Sequence, residues 1–251
     1  TSGSTSVAES GTTDTFAVVL DAQPASDVVL SITSGDTGEA TVNGSTSSNN
    51  ILTFTSGNWD TPQSFTVTGV DDNLVDGTIT STLTVAVVDA LSEDSFDAVA
   101  DQTVSATTTD NDTAGFTITE TGGSTAVAET GTTDTFAVVL TAQPTSDVVI
   151  TITSSDTGEA TVNSPLTFTP ANWNSAQTVT VTGVDDNIID GTITSTITVS
   201  VNDGSSDNNF DPVADQTVSA TTTDNDVAGF TIVQSGGSTS VAETGTTDTF
   251  P

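Results

Sequence analysis

The sequence predicts an all-β protein that consists of tandem antiparallel β-sandwich domains with about seven strands each. Three observations support this prediction: a long internal repeat, apolar residues that alternate with polar ones at a period of two, and clusters of Gly, Asn, Asp and Ser between the alternating runs. A period of two places successive side chains on opposite faces of a strand, and the clusters supply turns. No segment of the sequence shows helical periodicity.

The internal repeat divides the chain into two domains and the beginning of a third. The string VAE(S/T)GTTDTF begins at Val7, Val127 and Val241, so the spacings are 120 and 114 residues. One loop insertion accounts for the difference, because TVNGSTSSNNILTFT at 41–55 is matched by the shorter TVNSPLTFT at 161–169. Self-similarity of this kind is the sequence signature of a tandem array.

The predicted domains are residues 1–113, 114–227 and 228–251. Repeat 2 opens with AGFTIT at residue 114 and the third copy opens with AGFTIV at residue 228, whereas the first copy begins at TSGS and lacks this opening strand. We therefore expect the last segment to be the first strand region of a truncated third repeat, and further repeats on both sides. A second hypothesis is that this tail completes the first domain of a neighbouring chain as a donated strand.

The alternating runs of repeat 2 show where its strands lie. Every second residue is apolar at 135–140, 148–152 and 197–201, and the residues between are mostly Thr, Ser or Ala. Thr is β-branched and suits the solvent face of a pleated sheet. One apolar face per strand predicts two packed sheets with the core between them. Trp59 and Trp173, each preceded by Asn, are predicted to plug the core or cap an edge.

The charge balance is the most unusual property of the composition. The chain has 34 Asp and Glu residues and no Lys, Arg or His, so its formal net charge is −34 at pH 7. Self-repulsion of this size opposes the compact state, and high net charge is also typical of disordered chains. The regular alternation of apolar residues favours a folded protein instead. Carboxylates that folding brings together can then be neutralised only by protons, by screening or by bound cations.

The same composition excludes several function classes. Nucleic-acid binding and attraction to anionic membrane surfaces both need cationic side chains, and no apolar run is long enough to insert into a bilayer. The absence of Cys excludes disulfides and thiolate metal sites. Without His, Cys, Lys, Arg or Tyr, catalysis would be limited to carboxylate chemistry such as glycoside hydrolysis. We therefore expect that the protein is not an enzyme.

Acidic residues recur at matching loop positions in the motifs VAE(S/T)G, DTGEATVN, VDDN(L/I)(V/I)DGT and DND. Ca²⁺ takes about six to eight oxygen ligands in variable geometry, whereas zinc favours His and Cys, and Mg²⁺ rarely uses a cage of protein carboxylates. The alternative is that these Asp and Asn residues only form turns. Their joint recurrence in an anionic chain favours Ca²⁺. The candidate metal ligands are Glu9, Asp36, Asp71, Asp72, Asp76, Asp110, Asp112, Glu129, Asp156, Asp185, Asp186, Asp190, Asp224, Asp226 and Glu243.

In this order the motifs resemble the Calx-β repeat, over nearly all of residues 1–226. The variant with LTFTxxNW and VTGVDDN is similar to copies in large bacterial surface proteins. The resemblance implies immunoglobulin-like sandwiches of about seven strands that bind several calcium ions in loops at one end, next to the following domain. It implies as ligands Glu9, Asp71, Asp72, Asp76, Asp110 and Asp112 in repeat 1, and Glu129, Asp185, Asp186, Asp190, Asp224 and Asp226 in repeat 2.

Three features of the chain depart from the family pattern. Asp36 and Asp156 fit less well, because Asp-Thr-Gly-Glu replaces the turn often found in the family. Asp76 and Asp190 stand where a Glu is common, and an Asn separates the two terminal Asp residues of each repeat. These departures predict fewer ions or weaker binding than in a calcium sensor.

We therefore expect a calcium-stabilised structural repeat of an extracellular stalk, adhesin or filament, located outside the cell or at its surface. Ca²⁺ at the domain junction would stiffen the array, and the partners would be neighbouring repeats or copies of the chain. Extracellular modules bind calcium with a Kd of about 10⁻⁴–10⁻³ M. The alternative function is a calcium-dependent module that recognises a glycan or a partner protein. An exposed aromatic platform would favour that alternative, but aromatic residues make up only 5% of the chain.

Overall fold

The computed structural model describes residues 4–44, 50–234 and 239–247. These residues form two β-sandwiches in tandem, which confirms the predicted all-β class of immunoglobulin-like sandwiches. Short 3₁₀ turns are the helical elements of the described part, and none of its helices is long and apolar enough to cross a membrane.

The first sandwich contains eight described strands. They are β1 (Ser4–Ala8), β2 (Thr13–Val18), β3 (Val28–Ser34), β4 (Ala40–Gly44), β5 (Ile51–Phe54), β6 (Gln63–Gly69), β7 (Ile79–Val87) and β8 (Gln102–Thr109). One sheet has the order β1-β8-β7-β3-β5 and the other has the order β2-β6-β4. Strand β1 runs parallel to β8, and the other pairs are antiparallel.

The second sandwich repeats this arrangement and has one additional strand. Its strands are β9 (Phe116–Glu120), β10 (Thr125–Ala128), β11 (Thr133–Leu140), β12 (Val148–Ser154), β13 (Ala160–Val162), β14 (Leu166–Phe168), β15 (Gln177–Gly183), β16 (Ile193–Val201) and β17 (Gln216–Thr223). The sheet orders are β10-β17-β16-β12-β14 and β13-β15-β11-β9. The additional strand is β9, which forms an edge next to β11.

Each sandwich has one apolar core between its two sheets. In β15, Val179 and Val181 are fully buried, and the Thr residues on either side of them face outwards. Burying a large apolar side chain contributes about 1.5–3 kcal/mol, so the alternating runs supply most of the stability of each domain. Trp59 and Trp173 are partly buried and pack against the two cores, as predicted.

The two sandwiches touch through the loop between β6 and β7. Leu74 forms a parallel bridge with Gln143, the Val75 N–H donates to the Gln143 carbonyl (3.1 Å), and the Gln143 N–H donates to the Asn73 carbonyl (2.7 Å). The Asn209 side-chain amide donates to the Val75 carbonyl. Because this loop also carries the VDDN motif, the acidic end of the first sandwich adjoins the second.

Candidate metal centre

Parallel pairing of two strands brings the first acidic motif of the repeat next to the last one. Ala8 at the end of β1 lies opposite Thr109 at the end of β8, so both segments leave the sheet at the same end. Glu9 follows directly, and its N–H donates to the Thr109 carbonyl (3.2 Å). One oxygen each of Glu9, Asp110 and Asp112 lie within 4.8 Å of one another. Two motifs about a hundred positions apart therefore form one cluster.

Glu9 also belongs to a second cluster of carboxylates. Its partners there are Glu39, which immediately precedes β4, and Asp76 in the loop between β6 and β7. Ligand oxygens of these three residues also lie within 4.8 Å of one another. The Val70 N–H donates to the Glu39 carbonyl (2.9 Å), which ties the start of β4 to the start of the acidic loop. Glu9 thus connects two groups of carboxylates.

The second sandwich contains the same pair of clusters. Glu129 groups with Asp224 and Asp226, and it also groups with Glu159 and Asp190, under the same distance limit of 4.8 Å. Both copies of the repeat therefore build the same acidic site. The repeat sequence itself specifies the site.

Several of these carboxylates are buried, and some of their oxygens have no hydrogen-bond donor. Glu9 and Glu39 are only 1% and 6% exposed. Within the described residues, Glu39 Oε2, Asp76 Oδ1 and Asp112 Oδ2 are buried oxygens with no hydrogen-bond donor. The second sandwich has the equivalent unpartnered oxygens on Glu159 and Asp226. An unpaired buried charge costs several kcal/mol, so the folded site requires protons or a cation.

Burial shifts the protonation of these groups in the same direction. It raises the pKa of Glu39 from the ordinary 4.5 to about 7, and the Asp76 and Glu9 carboxylates add to the shift. Burial likewise raises the pKa of Glu9 and of Asp112. The pKa of Glu159 rises for the same reason in the second sandwich. Each raised pKa means that the ionised form of the carboxyl group is disfavoured in its cluster unless a positive charge lies nearby.

Hydrogen bonds fix the loops that carry these carboxylates. The Asn111 N–H donates to Glu9 Oε2 (3.1 Å), and the Asn111 side-chain amide donates to Asp71 Oδ1 (2.8 Å). The Gly77 N–H donates to Asp110 Oδ2 (2.8 Å). The DND segment is thereby joined both to the end of β1 and to the VDDN loop. The Asn between the two Asp residues is a linking residue of the site in this fold.

The donors of the site fit a hard cation. All of the clustered side chains are carboxylates, the ligand type that Ca²⁺ and Mg²⁺ prefer, and the chain has no Lys, Arg or His that could neutralise them instead. Flexible coordination by many oxygens favours Ca²⁺ over Mg²⁺, which keeps most of its waters. Zinc is a poor match because it favours nitrogen and sulfur ligands.

Most of the residues expected as ligands lie in or beside these clusters. The four clusters contain eight of them, namely Glu9, Asp76, Asp110, Asp112, Glu129, Asp190, Asp224 and Asp226. Asp71 and Asp185 border them, and each accepts a hydrogen bond from the Asn of its DND segment (2.8 Å). Asp72 and Asp186 each accept a hydrogen bond from the backbone N–H of the residue two positions later. The pKa of Glu9 is raised mainly by burial, and the negative charge of Asp72 adds to this shift.

Three expected ligands lie neither in nor beside the clusters formed by the described residues. Asp36 and Asp156 are exposed, and the Oδ1 atom of each accepts the N–H of a glycine two residues later (3.0 Å). In this bond the Asp side chain stabilises a turn, which is the alternative role that the sequence allowed for these aspartates. Glu243 is exposed in a segment that has no described strand.

Sequence reasoning did not select Glu39 and Glu159, the two glutamates that take part in the clusters. Both belong to DTGEATVN, from which the aspartate was chosen as the candidate. The signal was present, because the glutamate recurs in both repeats just as the aspartate does. It could not be interpreted locally, since only the folded chain shows that these glutamates are buried beside Glu9 and Glu129.

Fold and site together define the class: a tandem β-sandwich protein with acidic clusters, at one end of each sandwich, that could hold a metal. No protein-family model matches the sequence, and a search of curated proteins finds no match. Among solved structures, the calcium-binding domain pair CBD12 of CALX1.1 is 15% identical with a TM-score of 0.27, over 79% of this chain and 77% of that one. The apo form of the Calx CBD1 domain is 14% identical with a TM-score of 0.32, over 44% of this chain and 98% of that one.

A further similar structure is the surface layer protein SbsC, domains 1–6, with 18% identity and a TM-score of 0.36. The match covers 82% of this chain and 21% of that one, so the chain spans about a fifth of that structure. Calx CBD domains and surface-layer domains are thus structural neighbours of this chain at very low identity. Similarities this weak do not transfer a function from one protein to another.

Proposed function

We propose that this chain is a calcium-stabilised structural repeat of an extracellular stalk, adhesin or filament, and that its role is mechanical and not enzymatic. One observation carries the proposal. Each sandwich places buried carboxylate oxygens without hydrogen-bond donors in paired clusters at one end, and the chain contains no basic side chain to neutralise them.

The paired clusters suit two neighbouring calcium ions per sandwich. In the first sandwich one ion would take oxygens from Glu9, Asp110 and Asp112, and the other would take oxygens from Glu9, Glu39 and Asp76. Bound Ca²⁺ supplies the positive charge that the buried oxygens lack. Glu9, which belongs to both clusters, would bridge the two ions.

The position of the site explains how an ion could stiffen the array. The DND segment that ends the first sandwich leads into β9 of the second, and the acidic loop after β6 contacts Gln143 of the second. Two ions that share Glu9, one holding Asp76 and the other holding Asp110 and Asp112, would restrain both connections at once. A chain of flexibly joined domains would then become a rod.

We propose an extracellular location, in which calcium sites of the affinity typical of extracellular modules would be filled. Modules of this kind bind calcium with a Kd of about 10⁻⁴–10⁻³ M, so they would be occupied in extracellular fluids and empty at the low calcium concentration of a cytosol.

The alternative function, a calcium-dependent module for a glycan or a partner protein, would require an exposed aromatic platform. Among the described aromatic residues only Phe230 is exposed, which favours the mechanical role.

Thermal unfolding of the chain in EDTA, in millimolar calcium and in the same concentration of magnesium tests the proposal. At about 10 mM calcium, a site with a Kd of about 10⁻⁴ M is at a hundredfold excess, which stabilises the folded state by about 2.7 kcal/mol. We therefore expect a large rise in Tm that is specific to calcium. Small-angle X-ray scattering of the same samples should show a longer and less variable particle in calcium. An equal Tm in calcium and in EDTA would refute the proposal.

A further inference from the structure

In each sandwich a strand from the early part of the repeat pairs in parallel with the last strand. Thr125–Ala128 of β10 lie beside residues 220–223 of β17, and Ser4–Ala8 of β1 lie beside residues 105–109 of β8. Because paired parallel strands run in the same direction, the start of one and the end of the other lie at opposite ends of the pair. A tension applied to the chain on both sides of a sandwich therefore pulls the two strands past each other along their length.

Tension enters the second sandwich at β9 and leaves it after β17. The Gln216 side-chain amide donates to the Phe116 carbonyl (2.6 Å), so β9 begins beside the start of β17 and the exit lies at the far end of β17. Strand β9 is held by β11, and the chain passes from β9 through a short 3₁₀ turn into β10. Once β9 detaches, β10 is thus the next element to carry the load.

Strand β10 is held less firmly than β17. Four residues of β10 pair with β17, whereas β17 is held by these four and by seven further pairs with β16. On the other edge of β10, the Ala126 N–H donates to Asp134 Oδ2 (2.8 Å) and the Ala128 N–H donates to Thr132 Oγ1 (2.7 Å). The pairing of β10 with β17 is therefore the contact whose loss frees the entry side of the sandwich.

The end of β10 is tied to the segment through which tension leaves. The Glu129 N–H donates to the Thr223 carbonyl (3.1 Å), and the Asn225 N–H donates to Glu129 Oε2 (3.0 Å). Carboxylate oxygens of Glu129, Asp224 and Asp226 also lie within 4.8 Å of one another. Tension in β10 can thus pass from Glu129 directly into the exit segment, without passing through the part of the sandwich between them.

We infer that the parallel pair and the contact at its end form a load-bearing clamp in each sandwich, which shields the intervening residues from tension. In the first sandwich the Glu9 N–H donates to the Thr109 carbonyl (3.2 Å), and Glu9 Oε2 accepts the Asn111 N–H (3.1 Å). Strands sheared along their length must lose their hydrogen bonds together, so they resist force better than strands opened one bond at a time. The inference rests on the proposed mechanical role, but the clamp is built from strand pairing and does not require a bound ion.

Unfolding at constant force tests the clamp with two matched substitutions. Single chains are held by their two ends in magnetic tweezers, in EDTA, and the unfolding of each sandwich is timed. Val127→Ala removes buried volume from β10, whereas Val148→Ala removes the same volume from β12, which pairs with β14 and β16. We expect Val127→Ala to raise the unfolding rate of one sandwich about tenfold, because its contacts break with the clamp, and Val148→Ala to change that rate less than about twofold.

Thermal unfolding provides the comparison without force. Val148 is fully buried, so Val148→Ala should lower the Tm at least as much as Val127→Ala does. Equal unfolding rates under force for the two variants, or a faster rate for Val148→Ala, would overturn the inference. Val7→Ala and Val28→Ala make the same comparison in the first sandwich, which keeps the test decisive if a variant of the second sandwich does not fold.

The length of chain released is a second measurement. Failure of the clamp should free the residues between Glu129 and Asp224 in one step of roughly 30 nm of contour length, at about 3.3–3.6 Å per residue. Release of these residues in several smaller steps, strand by strand, would show that tension passes through the body of the sandwich. That result would contradict the inference.

The clamp and the calcium sites can fail separately. An equal Tm in calcium and in EDTA, together with faster unfolding under force for Val127→Ala alone, would refute the calcium proposal and support the clamp. A Tm that rises in calcium, together with equal rates under force for Val127→Ala and Val148→Ala, would refute the clamp and leave the calcium proposal intact.

Discussion

The side-chain Oε2 of Glu9 accepts a hydrogen bond from the backbone N–H of Asn111, 102 positions later in the chain, at 3.1 Å. The second sandwich repeats this bond between Glu129 and Asn225 at 3.0 Å. The bond joins the first acidic motif of a repeat to its last one. It exists because β1 lies parallel to β8, and so the site forms only when the sandwich closes.

Substitution of Glu9 tests whether one residue serves two ions. Glu9→Gln keeps an oxygen for the Asn111 N–H but weakens both clusters of the first sandwich, whereas Asp76→Asn weakens one. Isothermal titration calorimetry should show that Glu9→Gln removes more calcium equivalents from the chain than Asp76→Asn does. The second sandwich should retain its sites in both variants. Equal losses would show that Glu9 is not shared.

Substitution of Glu39 separates the buried glutamate of DTGEATVN from the exposed aspartate. Glu39→Gln removes a buried charge that lacks a donor, so it should raise the Tm in EDTA and reduce the gain in Tm from calcium. The expected loss of calcium affinity is about tenfold, or about 1.4 kcal/mol.

Asp36→Asn is the matched control for Glu39→Gln. Asn can still accept the N–H of Gly38 and preserve the turn, and Asp36 is exposed. Its effects on Tm and on calcium affinity should both be small. A larger loss of affinity from Asp36→Asn than from Glu39→Gln would contradict the assignment of the glutamate to the site.

The pH dependence of stability should change sign when calcium is added. Without calcium, burial raises the pKa of Glu39 to about 7. The stability of the folded state is therefore not reduced by this group below its ordinary pKa of 4.5, and it falls as the pH rises through about 7 and Glu39 must ionise while buried. Burial raises the pKa of Asp112 in the same direction. The Tm in EDTA should therefore fall as the pH is raised from about 5 to 8.

In saturating calcium the opposite slope is expected. Bound cations hold the carboxylates ionised in the folded state, so acidification towards about pH 4 protonates the unfolded chain preferentially and lowers the Tm. Asp207 adds to the same slope, because hydrogen bonds from Asn209, Thr145 and Ser146 outweigh its burial and lower its pKa, and the stability this gives is lost as the pH falls. Calorimetric scans at several pH values, with and without calcium, measure both slopes. Parallel slopes would contradict the prediction.

Gly69 is required where the end of β6 passes β1. A Cβ at this position would overlap the carbonyl of Ala8, which is backbone and cannot move without displacing the neighbouring Glu9. Gly69→Ala should therefore lower both the Tm and the calcium affinity of the first sandwich. Gly57→Ala is the control, because its Cβ would meet only the Thr55 hydroxyl at 3.8 Å. Equal effects of the two substitutions on calcium affinity would contradict this account.

The fold class and the strands could be predicted from the sequence because they depend on neighbouring residues. In β15, alternation of Val with Thr specifies which face is buried whatever the strand packs against. The repeat also predicted that residues 228–251 are the first strand region of a third repeat. No strand is assigned in the described part of this segment, so that expectation stays a prediction.

By itself the sequence determined that this protein is a tandem all-β chain with recurring acidic loops and no basic side chains to neutralise them. The tertiary structure alone decided which carboxylates meet. It buried Glu39 beside Glu9 and left Asp36 as an exposed turn residue. The physical reason is that alternation and turn chemistry act between near neighbours. Desolvation and charge repulsion in the site depend instead on strands that pair across about a hundred residues of chain.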